Sequence, residues 1–135
     1  MSAPEITVSE WPSPRGYANG RAGEGRPVHI AGQIGWDEHR TFVLGGLAPQ
    51  FGKALDNVLA VVRAAGGTPE DIASMTVFVT AIDEYRRGQS LLGPVWRERM
   101  GRHYPAMALV AVSALVEPEA VVEIQAIAYV REATP

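Results

Sequence analysis

Val121-Val122-Glu123-Ile124-Gln125-Ala126-Ile127-Ala128-Tyr129-Val130 is the stretch whose reading decides the fold. Val122, Ile124, Ala126 and Ala128 alternate with Glu123, Gln125 and Ile127. Successive side chains of a strand point to opposite faces, so this period of two predicts a strand with one face on a core and the other partly polar. Working back along the chain, Ala108 to Ser113, Ser74 to Thr80 and Val28 to Gly35 also read as strands, and Glu5 to Val8 is a short β-like run. Gly32 interrupts the strand at residues 28–35. A glycine inside a strand marks a bulge, or a place where something approaches the backbone.

Two helices separate these strands. Phe51, Leu55, Val58, Leu59 and Val62 recur at the spacing of one helical face, which predicts a helix from Leu47 to Ala65. Asp56 and Arg63 fall off that stripe. Gly66-Gly67 stops the helix, and Thr68-Pro69-Glu70-Asp71 is a turn with helix-start chemistry. Asp83 is positioned to cap a second helix over Glu84 to Met100. Its apolar side is Tyr85, Leu91, Leu92, Val95 and Trp96, and Pro94 is expected to kink or split it. Residues 15–27, rich in glycine, and residues 37–46 read as loops. The order β-β-α-β-α-β-β predicts an α+β fold with helices on one face of a sheet. No helix is left for the other face, which implies self-association through the sheet.

At 135 residues the chain has the size of one domain, expected to span 1–135 with residues 1–15 partly extended. Apolar residues make up 47% and charged residues 20%, a balance that fits a folded globule and not a disordered chain. The net charge of -3 supplies no field to attract phosphates, so nucleic acid is not an expected partner. The absence of cysteine excludes disulfides, thiolate catalysis and thiolate zinc sites. His29, His39 and His103 are scattered, without metal-ligand spacing, and no GxxxxGK[ST] loop is present, so neither a metal nor another cofactor is expected. No apolar run approaches the roughly 20 residues of a membrane span, and the N-terminus lacks a signal-peptide pattern. A cytoplasmic protein without a membrane partner is the expectation.

Five stretches in order carry a resemblance: Gly16-Tyr17; Ala31-Gly32-Gln33-Ile34; Ala54-Leu55-Asp56-Asn57-Val58 ending in Ala64-Ala65-Gly66; Asp71-Ile72 with Val77-Phe78-Val79; and Tyr104-Pro105-Ala106 with residues 122–128. Together they resemble the RidA (YjgF/YER057c/UK114) family, over residues 16–130. The resemblance implies a chorismate-mutase-like fold and a homotrimer with a central barrel-like core. It also implies small-molecule clefts between neighbouring subunits. In active members, an arginine directly after the Pro-Ala pair holds a substrate carboxylate. A backbone group and a glutamate-positioned water then assist hydrolysis of an enamine or imine to a keto acid and ammonia. Here that glutamate corresponds to Glu123, the tyrosine of the N-terminal loop to Tyr17, and the serine of the Gly-Gln turn to Ala31, next to Gly32. Gln89 stands where asparagine is frequent.

The residue after Pro105-Ala106 is Met107. Arginine grips a carboxylate through a planar fork, whereas methionine offers neither charge nor donor. A carboxylate buried beside Met107 would be unpaired, at a cost of several kcal/mol. Each singled-out residue also has a plainer reading. Glu123 is a water-orienting base or a salt-bridged strand residue. Met107 lines the cleft or only fills the core. Tyr17 and Trp36 wall a flat ligand or pack an interface. Arg102 and His103 are the nearest displaced cation, with His103 a possible acid or base, or a surface pair after a helix end. Arg15, Arg21 and Arg26 form a basic loop that reaches a neighbour's cleft or is solvated. The expected activity is hydrolysis of an enamine or imine other than the 2-aminoacrylate-derived one. The alternative is a non-catalytic trimer that binds a small molecule or a partner. The acidic balance and the lack of a basic stripe argue against a ribonuclease.

Overall fold

Four strands form the main sheet of the computed structural model, which describes residues 3–132. They are β3 (Arg26–Ile34), β4 (Ile72–Val79), β5 (Ala106–Ala111) and β6 (Val122–Val130), in the spatial order β3-β6-β4-β5. β6 runs antiparallel to both neighbours, and β4 pairs parallel with β5. A parallel pair needs a crossover, which α2 (Ile82–Arg87) and α3 (Gln89–Met100) supply. β1 (Glu5–Ile6) and β2 (Gly20–Arg21) form a separate small antiparallel ribbon, so part of the expected 15–27 loop is strand. The mixed α+β architecture matches the expectation from sequence.

The alternation in β6 is realised as read. Val122, Ile124, Ala126, Ala128 and Val130 are buried, and Gln125 is exposed. α1 (Leu47–Ala64) lays Leu55, Val58, Leu59 and Val62 onto this face, each almost wholly excluded from solvent. Asp56, off the stripe, receives Nε–H of Arg99 from α3 at 2.7 Å and so ties the two helices together. The α1 end is satisfied by geometry that only glycine adopts easily. Gly66 has φ 90°, its N–H reaches Arg63 O, and Gly67 N–H reaches Val62 O. Thr68 N–H then donates to Asp71 Oδ2 at 2.7 Å, which starts the short 3₁₀ turn Pro69–Asp71.

The second helix departs from expectation in three ways. It is split at Gly88 rather than at Pro94, which sits inside α3. The residue before Pro94 is Gly93, whose missing Cβ removes part of the clash that proline imposes on its predecessor. Asp83 lies in the first turn of α2 and pairs with Arg86; the cap position is Ala81. Leu91, assigned to the apolar side, is 65% exposed, while Leu92, Trp96 and Met100 are buried. The break at Gly88 resets the helical phase, so a stripe read across it as one helix misplaces Leu91.

The two leucines give a direct test of this core. Leu55→Ala is expected to cost about 2–5 kcal/mol, because it leaves a cavity beneath the sheet. Leu91→Ala is expected to stay within about 0.5 kcal/mol of wild type. Urea-unfolding midpoints measure both, and equal shifts for the two would contradict the assigned helical face.

Candidate functional site

A cleft of about 380 Å³ opens between α3, the edge strand β5 and the N-terminal loop. Local chain geometry explains which residues reach it. Ala18 is buried, donates its N–H to Pro105 O at 2.9 Å and bridges to Ala106, which sews the loop onto the start of β5. Arg15 and Tyr17 are thereby carried to the mouth of the cleft. Arg21 reinforces the seam, donating from Nε to Tyr104 O at 2.8 Å and from Nη1 to Ala3 O at 2.6 Å. Arg21 is therefore a structural clamp and not part of a solvated loop.

Inside, the wall is aromatic. Trp96 and Tyr104 stack with centroids 5.7 Å apart and planes 3° apart, and Phe51 lies tilted against Trp96 with centroids 6.4 Å apart. Met107 and Leu109 point into the same space, because they pair with Met75 and Val77 and share their helix-facing side. Gln89 at the start of α3 and Tyr85 from α2 add polar ends. Burial pushes the Tyr85 phenol above its usual range, so it remains a neutral donor at neutral pH. Among the described lining residues Arg15 carries the one formal charge.

Glu123 is on the other side of the sheet. It pairs with Phe78 and Ile34, one residue out of phase with the buried Val122 and Ile124. Its carboxyl lies against Gly32: a Cβ built on Gly32 would come within 2.7 Å of Glu123 Cδ. The strand register shifts between Ile30 and Gln33, so Ala31 and Gly32 oppose a shortened span of β6. The interrupting glycine thus does both things expected of it, a bulge and a close approach. Ala31 lines a second cavity of about 390 Å³ with His29, Thr76 and Gln125.

The remaining candidates lie elsewhere. Trp36 packs on Phe42 at 5.6 Å, with the Arg40 guanidinium 5.6 Å from its ring, and is not among the residues lining the 380 Å³ cleft. The turn that holds this pair is closed by Asp37, whose carboxylate accepts N–H of His39 and of Thr41 and is held below its usual range by them. Arg102 is exposed and lines none of the cavities described here. His103 donates from Nε2 to Ile72 O at 2.7 Å and borders a separate depression with Arg21 and Glu70. Its role is to tie the α3–β5 connection to β4. Within this chain neither residue lines the cleft that holds Met107. Two polar residues that sequence reading left without a role, Asn57 and Gln50, fix the loops that end strands. Asn57 Nδ2 donates to Ile34 O and Trp36 O, at 3.0 and 2.9 Å. Gln50 donates to Glu119 O and accepts Val121 N–H.

With this geometry in place, the comparisons with known proteins are informative. Residues 11–130 match the family model described as endoribonuclease L-PSP. The chain belongs to the RidA (YjgF/YER057c/UK114) family. It is 32% identical over 104 residues to the Bos taurus 2-iminobutanoate/2-iminopropanoate deaminase, covering 76% of this chain and 72% of that protein. The crystal structure of the Rid-family protein YyfB from Yersinia pestis aligns with a TM-score of 0.84 at 29% identity, over 96% of this chain and 100% of that one. E. coli TdcF with bound serine aligns with a TM-score of 0.68 at 29% identity, over 93% and 98%. In this RidA-family chain, Tyr17, Gln89 and Met107 gather in one cleft, while Gly32 and Glu123 gather on the opposite face. Sequence reading offered Arg15 to a neighbour's cleft or to solvent, and it lines the cleft of its own chain. The available signal was its position directly before the Gly16-Tyr17 landmark.

His103 yields a pH dependence. Burial lowers its pKa below the ordinary 6.5, against the opposing Ile72 hydrogen bond, with Arg21 adding to the fall. The folded state therefore binds this proton less readily than the unfolded chain. Stability is fully present above 6.5 and is lost as pH falls through that value towards the lowered one. Urea midpoints taken from about pH 8 to pH 5 are expected to fall in wild type and to fall less in His103→Gln. Parallel profiles for the two proteins would remove His103 as the cause.

Proposed function

We propose that this chain hydrolyses an enamine or imine to a carbonyl product and ammonia, in clefts formed between subunits of a homotrimer. The observation that carries the reading is the Glu123 carboxyl, held against the Gly32 backbone on a sheet face that no helix among the described residues covers. Met107 and Tyr17 open on the helix side of β5, two strands away from Glu123. No small molecule reaches both from one subunit. Placing the open face of one subunit against the cleft of the next brings the two half-sites to a single ligand, and it covers the exposed sheet face as well. The deaminase name of the Bos taurus relative and the serine bound to E. coli TdcF favour a small amino-acid-derived substrate class.

The chemistry follows from the groups. An enamine first takes its imine form. The Glu123 carboxylate accepts a proton from a water as the water oxygen bonds to the C=N carbon, and the nitrogen takes up a proton. The Glu123 carboxyl then returns its proton to the nitrogen, the hydroxyl gives its proton to solvent as C=O forms, and the C–N bond breaks to release ammonia. General-base assistance of this kind is worth roughly 10²- to 10⁴-fold. Met107 supplies apolar contact where the family's arginine would grip a carboxylate, which disfavours the 2-aminoacrylate-derived substrate. The alternative function, a trimer that binds without catalysis, differs in what Glu123 does.

Ammonia release tests this, with imines generated in situ by an amino acid oxidase and 2-aminoacrylate generated by a dehydratase. Glu123→Gln is expected to lower turnover of accepted imines by about 10²-fold or more. Wild type is expected to release little ammonia from 2-aminoacrylate, and Met107→Arg to increase that release by about tenfold. Strong Glu123-dependent release from 2-aminoacrylate by wild type would overturn the reading of Met107. Turnover unchanged in Glu123→Gln would remove Glu123 as the base, and no turnover of any imine by wild type would leave the binding protein as the surviving reading.

A further inference from the structure

The wall of the 380 Å³ cleft has an unusual charge arrangement: one cation at the mouth and none on the floor. Arg15 is exposed and takes part in none of the ion pairs among the described residues. Its backbone is nonetheless not free to wander. Three residues on, Ala18 is buried and hydrogen-bonded to Pro105, directly beside the strand that carries Met107. Gly16 between them has φ 76°, a left-handed turn that L side chains rarely adopt, and this turn separates Arg15 from the anchored segment. Apart from the neutral Gln89 the rest of the wall is apolar or aromatic, with the stacked Trp96–Tyr104 pair offering a flat surface.

We propose that Arg15 is the carboxylate-binding residue of this cleft, so that the site takes an acid with a flat apolar body, its carboxylate at the mouth and its body against Met107, Trp96 and Tyr104. This rests on the reading of the cleft as a substrate site. The volume falls within the roughly 300–1,000 Å³ of small-molecule sites, larger than a three-carbon imino acid requires. A ligand with one negative end and an apolar remainder mirrors a wall with one positive end and an apolar remainder, and such matching favours it over a neutral isostere. Moving the cation from the floor to the mouth also removes the conflict that Met107 creates. The carboxylate stays partly hydrated beside Arg15, and the apolar body, not the charge, is what Met107 buries.

Binding of benzoate and of its neutral isostere benzamide, measured by ligand-detected NMR on the full-length protein, tests this without requiring turnover. Wild type is expected to bind benzoate at least threefold more tightly than benzamide, the scale of a partly exposed charge-assisted contact. Arg15→Gln is expected to abolish that preference while leaving benzamide binding unchanged. Arg15→Lys is expected to restore part of it, since the charge remains and the planar fork is lost. Met107→Ala is expected to weaken both probes alike. A benzoate preference that survives in Arg15→Gln, or no binding of either probe to wild type, overturns the proposal. Failure of the hydrolase reading is distinguishable. In that case benzoate preference depends on Arg15 while no imine is hydrolysed; the opposite pattern leaves the hydrolase standing and removes Arg15.

Discussion

Burial of Val122, Ile124, Ala126 and Ala128 beneath α1 is the constraint on which the rest of the structure depends. A strand has a period of two, so a one-residue slip would put Glu123, Gln125 and Ile127 into the core and the apolar set into solvent. Fixing β6 also fixes its neighbours, because β3 and β4 both pair with it. Through β4 the constraint passes to β5, where Met107 stands beside Met75 and must face the helices. The separation of Glu123 from Met107 is therefore not a local accident of two side chains. It follows from which residues of the sheet are apolar.

Close approaches at glycine then shape the Glu123 side of the sheet and the entry into β6. At Gly32 the neighbour is a carboxyl group, and any Cβ would push it away from the bulged backbone. At Gly35 the neighbour is Gln50, whose amide fixes the connection into β6. The two glycines sit three residues apart and act on different elements. One gives Glu123 its position, and the other lets α1 come close enough to the strand end to hold the loop before β6. Loop anchoring matters equally on the far side of the sheet, where the hydrogen bond from Ala18 to Pro105 brings the N-terminal segment to β5.

What could be read from the sequence was what strong periodicity dictates. The α1 stripe, the β6 alternation and the Gly66-Gly67 stop each involve local geometry, and each is found in the structure. The break at Gly88 was not readable, because Pro94 is the stronger breaker in isolation and only Gly93 beside it explains how a helix accommodates it. Two groupings of the candidate residues were readable. Tyr17, Gln89 and Met107 do share one cleft, and Gly32 does receive Glu123. Trp36, Arg102 and His103 lie apart from that cleft for a common reason: their neighbours in space are set by turns and backbone hydrogen bonds that no side-chain pattern encodes. That Arg15 reaches the cleft of its own chain was not readable in the same way, since its route runs through a backbone bond made by Ala18.

The division of the half-sites between two faces has an energetic consequence. In the proposed assembly a ligand held between subunits binds the assembled form and not the separated chains, so ligand and assembly stabilise one another by mass action. The open sheet face carries Glu123, Gln125 and Thr76 beside Phe78 and Ile127, a mixture too polar to collapse as a purely hydrophobic interface. Its carboxylate must remain hydrated or hydrogen-bonded when covered, because an unpaired buried charge costs several kcal/mol. A water-filled pocket at the seam meets that requirement and also supplies the nucleophile that hydrolysis of a C=N bond needs. The same physical demand, keeping Glu123 solvated inside an interface, thus links how this sheet can be covered to the reaction its carboxylate can assist.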